Sequence, residues 1–101
     1  MNKVSGKISD ILEILKGLKD VIRKEYNAEV IGVFGSYARG EEKGNSDIDI
    51  LVRFFEGATL FDFAGLADFL EEQLKIKVDL VSDRAIREEI KEPILTEVMR
   101  I

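Results

Sequence analysis

The chain has 101 residues and a formal charge of −5 at neutral pH, and it contains neither cysteine nor histidine. Those absences exclude disulfides, Cys/His zinc sites, Ser-His-Asp triads and imidazole bases. Chemistry is left to carboxylates, hydroxyls, Lys or Arg and backbone amides.

At this length a single domain over residues 1–101 is expected, one that buries about 65% of the unfolded surface and has little room for a second substrate-binding unit. The 46% hydrophobic and 35% charged content is that of a globular chain. No apolar run approaches the roughly 20 residues that span a membrane, and MNKVSGKISD lacks a signal-peptide core, so a cytoplasmic protein is expected. Residues 30–81 carry −5 by themselves. An acidic surface of that kind disfavours long nucleic acid as a partner, although bound divalent cations could reverse the sign locally.

Residues 5–26 place Ile8, Ile11, Leu12, Leu15, Leu18 and Ile22 at helical spacing, with Ser5 or Ser9 as N-cap and Asn27 as the stop. The run Val30-Ile31-Gly32-Val33-Phe34 follows, apolar on both faces, and reads as a strand buried on both sides. Gly35 and Ser36 then make a sharp turn into Tyr37-Ala38-Arg39, a short helical stretch that Gly40 can end. Ser36 would lie where free backbone N–H groups attract an anion such as a phosphate. The segment is no Walker A loop, because Glu41 and Glu42 stand where Lys and Ser/Thr would be needed. Arg39 has two readings, a phosphate contact or a surface ion pair with Glu42 or another acid.

After the polar turn Glu41–Ser46 comes Asp47-Ile48-Asp49-Ile50-Leu51-Val52, which alternates. In a strand, residues two apart share a face, so Asp47 and Asp49 project together while Ile48, Ile50, Val52 and Phe54 face the core. Carboxylates roughly 7 Å apart along a strand repel, a disadvantage that makes sense if a cation fills the gap. Thr59 with Asp62 forms a capping box for a second helix with the stripe Leu60, Phe63, Leu66, Ala67, Leu70 and Leu74. Phe61 and Phe69 lie off the stripe, with two readings, an exposed partner surface or burial of the pair against a terminal helix, of which burial is expected. Lys75–Val81 alternates again and puts Asp79 opposite Ile76, Val78 and Leu80, so three strand acids could converge. Ser82 or Asp83 can cap a last helix with Ile86 and Ile90, which Pro93 breaks or restarts, and the apolar end at Ile101 suggests a packed terminus.

The pattern of Gly35-Ser36, ten residues and Asp47-x-Asp49 resembles the nucleotidyltransferase superfamily that includes DNA polymerase beta, and within it the minimal nucleotidyltransferases. The resemblance covers essentially the whole chain. It implies an α/β fold with a small mixed sheet flanked by helices, and transfer of AMP from ATP with release of pyrophosphate. It further implies two Mg²⁺ ions on Asp47 and Asp49 with Asp79 completing the metal site, and phosphates on Gly35 and Ser36, with Arg39 as a further phosphate candidate. Minimal members are typically paired with a HEPN-type helical ribonuclease toxin, so the implied role is an antitoxin that adenylylates that partner in a possible hetero-oligomer. The alternative is an antitoxin or nucleotide-sensing subunit that acts by binding alone.

Overall fold

The computed structural model describes residues 7–101. Ser5, one of the two expected N-caps, lies outside them. Ser9 is already inside the first helix, α1 (Ile8–Gly17), whose N-cap is Lys7 without a side-chain cap. The expected single helix is in fact two, because the chain bends at Leu18 before α2 (Lys19–Tyr26). Gly17 offers no side chain to stiffen that point. The bend lets Ile11 and Leu15 of α1 and Ile22 of α2 all reach full burial. Asn27 ends α2 in the left-handed region, at φ 55°.

Four strands form one mixed sheet in the order β3-β2-β1-β4. Strand β1 (Ala28–Phe34) lies antiparallel to β2 (Ile48–Phe54) and to the two-residue β4 (Met99–Arg100). Strand β3 (Val78–Ser82) runs parallel to β2. A bulge between Val30 and Gly32 shifts the alternation of β1, so that Val30 pairs with Val52 and Val33 with Ile50, both buried. Gly32 is required there, since a Cβ would overlap the Met99 carbonyl oxygen of β4.

The core lies between the sheet and α1, α2 and α4 (Leu60–Leu74). Ile48, Ile50 and Val52 of β2 meet Ile11, Leu15, Ile22, Leu66, Leu70 and Leu74. Each such side chain contributes about 1.5–3 kcal/mol by leaving water. The Thr59–Asp62 capping box is present, with both bonds made at 2.9 and 3.3 Å. Leu60 does not join the expected buried stripe: it is 86% exposed, and its neighbour Phe61 89%. Phe69 packs on Tyr26 of α2, with ring centroids 5.4 Å apart, and not on a terminal helix.

After β3 the Ser82 hydroxyl caps a 3₁₀ turn (Asp83–Ala85), which leaves Ile86 outside any helix. The last helix, α5 (Glu88–Glu97), runs through Pro93 instead of breaking there. The N–H that proline lacks would have met the carbonyl of Glu89, which is exposed and open to water. No residue of α5 is buried. Ile101 packs at the margin of the core and donates its N–H to the Ile31 carbonyl at 3.3 Å.

Candidate active site

Gly35 leaves β1 at φ 79°, ψ −152°, a conformation open to glycine and strained for other residues. It leads into α3 (Ser36–Arg39), one turn closed by Gly40 in the left-handed region. A Cβ on Gly35 would overlap the carboxylate of Asp49. The turn and the acid are therefore packed against each other, across the register in which Phe34 faces Asp49.

Asp47 stands exposed just before β2, and Asp49 is half-buried one step inside it. The parallel register places Asp79 directly beside Asp49. Two facing carboxylates cannot both be charged cheaply without a cation. Burial, the Asp79 charge and hydrogen bond and the Asp47 charge together push Asp49 from 3.8 up to about 6, with Arg39 opposing. Leu51, next on the same face, is fully buried, so the exposed part of that face ends at the acids.

Among the described residues no three acids already form a metal cage. That is compatible with Mg²⁺, which takes one or two carboxylates plus substrate phosphates and waters, not a cage of protein oxygens. The donor set is right for it: hard oxygens only, with Asp49 and Asp79 in register on neighbouring strands.

Arg39 is taken up by acids other than Glu42. Its Nε donates to Glu41 at 2.9 Å and its Nη1 to Glu97 at 2.7 Å. The other oxygen of Glu97 accepts the Gly35 N–H at 3.1 Å. Sequence reasoning missed Glu97, because an acid at the end of the last helix belongs to no motif and is 62 residues from the turn it touches. Tyr37 was also missed. Its ring is in the core, and burial, Glu42 and Asp47 raise its phenol above the usual value. Together with Ser46, Asp47, Lys75 and Lys77 it lines an open cleft of about 300 Å³.

A one-turn Gly-Ser helix at the end of a central strand, with acids on two parallel neighbours, is the arrangement of the nucleotidyltransferase domain family. The chain belongs to that family, whose pattern matches residues 15–100, and it is a minimal nucleotidyltransferase. It is 40% identical to the protein adenylyltransferase MntA of Thermococcus cleftensis over 94 residues, 93% of this chain and 95% of the relative. A solved structure provisionally described as a minimal nucleotidyltransferase superposes with a TM-score of 0.73 at 39% identity, covering 89% of this chain and 95% of that one. A toxin-antitoxin crystal structure with AMP-PNP superposes with a TM-score of 0.64 at 28% identity, covering 80% of this chain and 67% of that one.

Proposed function

We propose that this enzyme moves AMP from ATP to a hydroxyl on a partner protein, a HEPN-type helical ribonuclease toxin, and so acts as its antitoxin. The observation that carries the reading is the Asp49–Asp79 pair, set in register across β2 and β3 and pressed against the Gly35 turn. The similarity to MntA and to a toxin-antitoxin structure holding AMP-PNP supports the nucleotide and the partner class.

In this reading Asp47 and Asp49 hold Mg²⁺, and Asp79 joins them. The bound ions supply neutralisation of the charge that develops on the phosphates. The Gly35-Ser36 turn receives the outer phosphates through the Ser36 N–H and hydroxyl, with Gly35 shaping the turn, and Arg39 contributes positive charge beside them. Asp79 is exposed and so can meet an incoming hydroxyl and take its proton. The new bond joins that oxygen to the α-phosphorus, the bond from the α-phosphorus to the bridging oxygen breaks, and pyrophosphate leaves. The chain's acidic balance and small size suit an acceptor docked by another protein better than a gripped nucleic acid. Tyrosine is the acceptor expected from the family resemblance.

The test is to incubate the protein, Mg²⁺, ATP and the helical protein encoded beside it, and to weigh the partner intact. Addition of AMP that disappears in Asp47→Ala/Asp49→Ala is expected. A partner silenced in a tight complex without any mass change would show an antitoxin that acts by binding alone.

A further inference from the structure

We propose that Glu97 is a positioning residue for the transfer reaction: its carboxylate sets the Gly35 turn and the Arg39 guanidinium in place for the nucleotide. The inference rests on the adenylyltransferase reading above and extends it to a residue outside the motif.

The Gly35 N–H belongs to neither the β-ladder nor α3, and Glu97 accepts it at 3.1 Å. Gly35 has the widest conformational freedom of any residue type, so a turn built on it stays fixed only if something holds it. It is held from two sides, by the Asp49 carboxylate against its Cα and by Glu97 on its N–H. The second oxygen of Glu97 fixes Arg39 at 2.7 Å. One carboxylate thus sets both the backbone of the turn and the position of the guanidinium beside it. The Arg39 and Gly35 bonds hold Glu97 itself below the usual glutamate range.

The backbone that carries Glu97 is fixed as well. Met99 pairs with Val33 and Arg100 with Gly32, and the bare Cα of Gly32 lets β4 come close. Fastening of the C-terminal segment therefore falls to β4. The ion pair itself is half exposed, at 48% for Arg39 and 29% for Glu97, and pairs of that kind add little to stability. A residue that mattered only for stability would be expected elsewhere.

The experiment compares the wild type with Glu97→Gln and Glu97→Ala in the full chain. It reads kcat and KM for ATP with the partner protein, the Kd for Mg²⁺·AMP-PNP by calorimetry, the melting temperature and the Gly35 amide resonance. Glu97→Gln keeps an acceptor for the Gly35 N–H but loses the Arg39 bond, and is expected to fall between wild type and Glu97→Ala in KM and Kd. Glu97→Ala is expected to weaken both about tenfold, to shift the Gly35 resonance upfield and to leave cooperative melting intact. Two results overturn the proposal: Glu97→Ala within twofold of wild type in KM and Kd, or equal losses in both variants that follow a loss of cooperative melting. A wild type that binds AMP-PNP but transfers nothing sinks the adenylyltransferase reading alone, and the Kd values still decide the role of Glu97. A wild type that binds no nucleotide overturns both.

Discussion

Gly35 and Asp49 are packed so closely that the glycine has no room for a Cβ: one would occupy the position of the Asp49 carboxylate. Two elements 14 positions apart in the chain, a turn and a strand, therefore form one surface. Gly35→Ala meets both the overlap and the strain of φ 79°. It should destabilise the protein by about 1–3 kcal/mol and lower AMP transfer on the order of a hundredfold. Ser36→Ala should do less damage to transfer, because backbone N–H groups remain at the turn. Initial rates and thermal melts of the two variants check that order.

Asp49 gives a pH dependence with a definite sign. Its carboxyl titrates at about 6 in the folded chain against 3.8 for the ordinary group. A raised acid binds more protons folded than unfolded, so metal-free stability should fall as the pH rises from about 4 to 6 and then level off. For a partly exposed group the drop should be about 1–2 kcal/mol after solvent screening. Denaturant melts in EDTA across that range measure it. Subtracting the same melts of Asp49→Asn isolates the Asp49 contribution, since Glu97 contributes with the opposite sign, and a difference that rises over the window would show that Asp49 is not the group described.

The same feature separates stability from function. Asp49→Asn removes a charge that repels Asp79 and Asp47, so at pH 7.5 without metal its melting temperature should exceed that of wild type by roughly 4 °C. Transfer by that variant, and by Asp47→Ala, should fall on the order of a thousandfold or more, equal to about 4 kcal/mol of lost transition-state stabilisation. Added Mg²⁺ should raise the melting temperature of wild type more than that of Asp49→Asn.

The alternation of Ile48, Ile50 and Val52 made the face of Asp49 legible in the sequence, while Asp47 stands one residue before the strand. The capping box at Thr59 was legible for a similar reason: both partners are local and three residues apart. What escaped depended on distant partners. Nothing in the stripe from Ile8 to Ile22 marks a bend at Leu18, since a helix broken after Gly17 keeps nearly the same spacing of apolar residues. Phe69 could not be assigned to Tyr26, nor Glu97 to Gly35, without the sheet order that brings those elements together. Asp79 was the intermediate case: its face could be read, but its place beside Asp49 comes from the parallel register alone.

Thr59 offers a control at the other end of the sheet. Thr59→Ala removes the acceptor for the Asp62 N–H and should lower stability by about 1 kcal/mol. AMP transfer at a temperature well below the melt should stay within twofold, which an endpoint mass assay can establish. A large loss of activity would mean that the start of α4 takes part in binding the partner.

Helix α5 completes 10 residues without burying one of them, between a 3₁₀ turn that follows β3 and the two-residue strand β4. Such a segment can open while the rest of the protein stays native, with a free energy well below that of global unfolding. Its amides should exchange with deuterium long before those of β1 and β2. Because Glu97 is the last residue of that helix, each opening that reaches its end also releases the Gly35 N–H. The rate at which this amide exchanges should therefore follow the fraying of a surface helix and not the stability of the central strand it terminates.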